Sequence, residues 1–192
     1  MGQILVTAFE PFGGRLRNAS AEVLRLLPEK IGGFTVWKLM LPVAFGRAAE
    51  AVLGQQAEAV FLLGEAGGRK TVTPELKARN LRDARIPDNE GNQPRGEKIL
   101  PEGPAEYHTS VSVRRIAKRM RAEGLNVTAS EDAGAFVCND TFYLVGTGSR
   151  VPVDFIHCPA EPDRAEELAE TVKRFLELAL SDISRRREDT GL

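Results

Sequence analysis

The chain has 192 residues, 26 Lys+Arg against 27 Asp+Glu, 42% hydrophobic content, 18 Gly and 11 Pro. That composition excludes disorder and fibrous architectures. At this length a compact chain buries roughly 70% of the surface its unfolded form exposes, so one domain over residues 1–192 needs no disulfide or metal staple. A net charge of -1 gives no general attraction to nucleic acid, and no apolar run nears the roughly 18 residues of a membrane span.

Strand and helix signals alternate along the chain, which predicts an α/β layered fold with a largely parallel sheet. Ile4 to Phe9 reads as a buried strand. Asn18 or Ser20 is placed to cap a helix carrying Val23, Leu24 and Leu27, and Phe34 to Leu41 follows as a second strand. Arg47 to Leu53 suggests another helix and Ala59 to Leu63 a third strand. From Asp83 to Tyr107 the sequence is polar and rich in Pro and Gly, too long for a plain connection and therefore a functional or disordered loop. Val113, Ile116, Ala117 and Met120 keep helical spacing, with Gly124 where a left-handed cap is wanted. Later strands are expected at Leu125 to Ala129 and Val151 to Ile156. Asp163 and Glu166 look like a capping box opening the last helix, whose apolar stripe runs from Leu168 to Ala179, and the tail from Ser184 to Leu192 is expected to fray. The basic runs 114–121 and 185–187 read as solvated helix faces.

No basic-then-apolar leader precedes Gln3-Ile4-Leu5-Val6, and only two cysteines occur. Both features point to a reducing cytoplasm with free thiols. In open α/β sheets ligands sit beyond the carboxyl ends of strands. Three segments fall there, Phe9 to Arg15, Gly64 to Arg69 and Phe155 to Pro159. Their glycines suit either tight turns or an anion cradle, although neither glycine segment matches a phosphate-binding fingerprint. His157 at a strand end faces the expected cleft and titrates in the working range; His108 lies in or beside the long loop. Cys138 falls where a Gly-containing turn feeds a helix, a position that lowers a thiol pKa and presents N–H donors, though a small core residue is the simpler reading. Cys158 points to the opposite face from His157. Cys and His spacing gives no metal site. Glu75, taken alone, is a helix-start or surface glutamate.

Six segments together resemble the successive motifs of the type I pyroglutamyl peptidases, the pyrrolidone carboxyl peptidases. They are Phe9-Glu10-Pro11-Phe12-Gly13-Gly14, Ala66-Gly67-Gly68-Arg69, Pro74-Glu75-x-x-Ala78-x-Asn80, Ala84 to Asn89, Ala133-Gly134-x-x-Val137-Cys138-Asn139 and Phe155-Ile156-His157. The resemblance implies a cysteine peptidase that removes an N-terminal pyroglutamyl residue, built as a three-layer α/β/α sandwich, assembled as a homotetramer, and working without metal or organic cofactor. It assigns Cys138 as nucleophile, His157 as general base and acid, and Glu75 as the carboxylate orienting the imidazole. Phe9 and Phe12 match the positions that sandwich the lactam ring, and Phe136 suits the same pocket. Asn18 and the backbone around Glu65 are expected to meet the lactam polar atoms, while the Cys138 N–H and a group from the Arg85 loop are expected to hold an oxyanion. Glu65 stands where glutamine is expected, with Lys70 as its neutralising partner. Two further readings stay open. One is a phosphate-dependent, nucleoside-phosphorylase-like enzyme, and the other an inactive binder of blocked peptide N-termini.

Overall fold

The computed structural model describes residues 2–190, with side chains described for residues 2–186. Among the described residues the chain forms eight strands and five α-helices, interspersed along its length. The central sheet contains β1 (Gln3–Phe9), β2 (Lys30–Ile31), β3 (Phe34–Leu41), β4 (Ala59–Ala66), β5 (Thr73–Pro74) and β8 (Val153–Pro159), in the order β2-β3-β1-β4-β8-β5. Its four long strands run parallel, and the two-residue edges β2 and β5 are antiparallel. A separate ribbon pairs β6 (Lys77–Arg79) with β7 (Glu106–His108).

The pleat sends alternate residues to two cores. Ile4, Val6 and Ala8 of β1 join Phe61, Leu63 and Ile156 against α1 (Ala19–Leu26), α3 (Val113–Ala122) and α5 (Ala165–Thr190). Leu5, Phe9, Val60, Leu62, Val153 and Phe155 face α2 (Arg47–Leu53) and α4 (Val137–Gly148). Helices on both faces of a mostly parallel sheet give the layered α/β fold that the alternation predicted, in the three layers that the resemblance implies. Asn18 rather than Ser20 caps α1, accepting from the Ser20 N–H at 2.9 Å.

Three local expectations change. The stretch 125–129 forms no strand but two isolated parallel bridges, Val72 with Val127 and Glu75 with Ser130. Thr128 N–H donates to the Val72 carbonyl, Ser130 N–H to Pro74 and Leu76 N–H to Ser130. The bond that would join these steps needs an N–H on residue 74, and proline has none. At the start of α5, Asp163 lies in a 3-10 turn (Pro162–Arg164) and pairs with Arg17 instead of forming a capping box. Beyond Ser184, where fraying was expected, α5 continues to Thr190, and residues 191–192 lie outside the described residues.

The long polar segment is ordered by its own hydrogen bonds. Asp88 accepts from the backbone N–H groups of Phe45, Glu90 and Asn92 at 2.8–3.0 Å. Those donors hold its carboxyl below the usual range against the opposing effect of burial, which is the larger single influence. The basic helix faces over 114–121 and at Arg185 and Arg186 are solvated, as expected, and several of their side chains are paired; the side chain of Arg187 lies outside the described residues. Arg114 meets Glu131, Arg119 meets Glu123, and Arg115 meets Asp182. No helix among the described residues is long and apolar enough to cross a membrane.

Candidate active site

A cavity of about 310 Å³ opens at the carboxyl ends of β1, β4 and β8, and both Cys138 and His157 line it. His157 shares the α4-facing side of β8 with Val153 and Phe155. Its ring packs on Phe155 with centroids 4.7 Å apart and is only 4% exposed. Across the sheet edge, Thr73 pairs with His157 and Pro74 with Ile156, and the Glu75 N–H donates to the Phe155 carbonyl at 2.8 Å. This register delivers the fully buried Glu75 beside the imidazole. Glu75 Oε1 lies 2.8 Å from His157 Nδ1. The same oxygen accepts from Arg69 Nη2 at 3.2 Å, and that nitrogen also reaches Ser130 Oγ at 3.0 Å and the Asp132 carbonyl at 2.7 Å. Glu75 Oε2 is buried without a hydrogen-bond partner.

Cys138 is the second residue of α4, whose first turn follows Phe136 with no side-chain cap. The start of α4 is anchored by Asn139, which accepts from the Arg79 N–H at 2.8 Å and donates to the carbonyls of Arg79 and Leu81 at 2.9 and 3.0 Å. What brings the sulfur to the sheet is Gly64. A Cβ there would lie 2.9 Å from Cys138 Sγ and 2.7 Å from the Phe155 ring, so a bare α-carbon is required. Gly64 is also the register partner of His157. Sulfur and imidazole are therefore neighbours over the β4–β8 pair, with no hydrogen bond between them among the described residues.

The helix start alone would favour the thiolate, and the Cys138 N–H does so. Its surroundings reverse that expectation. Although Cys138 is partly open to the cavity, burial pushes its thiol up to about 12, and the nearby carboxylates of Glu75 and Glu65 add to the rise. At neutral pH the resting sulfur carries its proton.

Of the expected pocket residues, Phe9, Phe12, Asn18, Glu65 and Phe136 line the cavity. Phe12 and Phe136 lie 6.0 Å apart between centroids and tilted by 38°. Asn18 is partly committed elsewhere, since its oxygen accepts from Ser20 and its amide donates to the Glu10 carbonyl at 3.1 Å. Arg85 is exposed and does not line the cavity; the arginine that does is Arg69. The partner of Glu65 is Arg15, not Lys70. His108 is exposed on β7 beside Glu106, and Cys158 is fully buried in the core facing α5. No group of three or more metal-ligating side chains gathers among the described residues. Arg69, Ser130 and Gly64 went unassigned in the sequence. Gly64 alone had a usable signal, a glycine closing an unbroken apolar run.

A sequence model of the family described as pyroglutamyl peptidase matches residues 2–177. The chain is 38% identical over 184 residues to the pyrrolidone-carboxylate peptidase of Staphylococcus saprophyticus, covering 91% of this chain and 86% of that one. It is 40% identical over 171 residues to the enzyme of the same name from Levilactobacillus brevis, covering 84% of each. Among solved structures, pyroglutamyl peptidase I from Bacillus amyloliquefaciens superposes with a TM-score of 0.86 at 35% identity, over 94% of this chain and 98% of that one. The pyrrolidone carboxyl peptidase of Thermococcus litoralis gives 0.89 at 30% identity, over 97% of each chain. The phosphorylase and inactive-binder readings find no support in these comparisons. The protein belongs to the pyroglutamyl peptidase family.

Proposed function

We propose that Cys138, His157 and Glu75 carry out the family reaction, cysteine-type hydrolysis of the peptide bond that follows an N-terminal pyroglutamyl residue. The observation that carries this assignment is the 2.8 Å contact between the buried Glu75 and His157, which lines one cavity with Cys138. The thiol is protonated at rest, so His157 takes its proton as sulfur attacks the carbonyl carbon on the lactam ring. Carbon–sulfur bond formation moves the carbonyl pair onto oxygen, and the unpaired N–H groups at the start of α4, that of Cys138 included, receive the oxyanion. Glu75 fixes the ring orientation and stabilises the imidazolium. The imidazolium then protonates the departing amine as the carbon–nitrogen bond breaks, leaving a pyroglutamyl thioester. Water, deprotonated by His157, releases pyroglutamate and restores the thiol.

Phe9, Phe12 and Phe136 support selection of a neutral lactam. Closing the ring removes both charges of an N-terminal glutamate, and an aromatic-lined pocket accepts the ring while an open glutamate would bury unpaired charge at a cost of several kcal/mol. Asn18 and the backbone at Glu65 are suited to the lactam polar atoms. A cytoplasmic location accords with two free cysteines, and homotetrameric assembly accords with the exposed apolar Trp37 and Met40 on β3. The test is release of the chromophore from pyroglutamyl anilide by wild type and by Cys138→Ala. Turnover in the first and none in the second is expected; equal rates would remove Cys138 as nucleophile.

A further inference from the structure

We propose that Glu65 and Arg15 form a strap that seats the β1–α1 loop against the cavity, making Glu65 a positioning residue for substrate recognition. The proposal rests on the pyroglutamyl-peptidase reading above. Glu65 is the penultimate residue of β4, with its side chain 1% exposed, and each of its oxygens holds a different part of the same loop. Oε1 accepts from Arg15 at the middle of the loop, and Oε2 accepts from the Ala19 N–H at its far end, at 2.6 Å. Phe12 and Asn18, on either side of Arg15, both line the cavity.

The loop needs such a tie. Gly13 and Gly14 adopt φ of 62° and 76°, a region open mainly to glycine, and Leu16 is 95% exposed. Two consecutive glycines leave much backbone freedom to be lost on ordering. The other restraints lie at the loop's ends. Asn89 donates to the Pro11 carbonyl at 3.0 Å, Asn18 bridges back to Glu10, and Arg17 reaches the exposed Asp163. Among the described residues Glu65 alone hydrogen-bonds the middle of the loop to the sheet. The dependence is mutual, because a carboxylate this deep requires a cation, and Arg15 comes from the loop being held. A glutamine at position 65 can still accept from Ala19 but offers Arg15 no charge.

The test compares Arg15→Gln, Glu65→Gln and the double variant. Each single change is expected to raise KM for a pyroglutamyl anilide about five- to tenfold, on the scale of one net hydrogen bond, with kcat within about twofold. The double variant is expected to fall well short of the product of the two effects, since both remove one interaction. Independently of turnover, trypsin is expected to cut after Arg17 faster in Glu65→Gln than in wild type. Unchanged KM in both single variants, a loss confined to kcat, or equal cleavage rates would overturn the strap. Absence of wild-type turnover would instead remove the underlying reading, while the cleavage comparison would still decide whether the loop is held.

Discussion

Cys138 illustrates how one residue answers to opposing local influences. Helix-start N–H groups pull its pKa down, whereas burial and two carboxylates push it up to about 12. A preformed thiolate would react with iodoacetamide at a rate that levels off near neutrality. A thiol raised this far ionises steadily as pH rises, so the alkylation rate in the absence of substrate should keep climbing well above pH 9. Glu75 acts on the other partner. Replacing it with glutamine removes the negative charge that stabilises the imidazolium. Glu75→Gln should lower kcat by about 100-fold or more with an unchanged far-UV circular dichroism spectrum. Unchanged kinetics would remove the carboxylate from the mechanism.

At the scale of elements, the approach of α4 to the sheet depends on Gly64. Alanine there would drive a methyl group into Phe155 and the sulfur. Gly64→Ala is expected to cost about 1–3 kcal/mol of stability, as overpacking does, and to displace Cys138 enough to depress kcat/KM. Denaturant titration with steady-state kinetics checks both. Strands β1 and β3 were legible because their apolar runs are bounded by clear turns. The helix over Val113 to Ala122 was legible because its stripe keeps one period. What stayed hidden depends on partners distant in sequence. Whether 125–130 forms a ladder is decided by Pro74, some fifty residues earlier. Asp163 and Glu166 have capping-box spacing, yet Arg17 claims Asp163. The site divides the same way. Cys138 and His157 sit at places the chain order marks, a helix start and a strand end. Glu75 carried no local signal, and only the antiparallel pairing of β5 with β8 brings it to the imidazole.

For the whole molecule, the buried carboxyl of Asp154 couples folding to pH. It is 1% exposed on β8, facing α5, and neither oxygen has a well-formed hydrogen bond, although the Val111 N–H lies near enough to favour ionisation. Burial, reinforced by Asp182 and only partly opposed by Arg186, raises it to about 8. In the other direction its field helps burial lift the neighbouring Tyr107 to about 12. From about pH 4 to 8 the unfolded chain has released a proton that the folded chain keeps. Stability therefore falls as pH rises, by up to about 1.4 kcal/mol per unit. Asp154→Asn should abolish this slope, so its urea midpoint should gain on the wild type between pH 5 and 8; parallel curves would show that the carboxyl is already ionised.

The two sulfurs occupy contrasting places, one lining the cavity over Gly64 and the other sealed on the far side of the sheet. To iodoacetamide above pH 9, where the Cys138 thiol begins to ionise, the folded chain should count as one equivalent and the denatured chain as two. Reagent stoichiometry would then report the fraction of intact molecules in a preparation, with no assay of catalysis required.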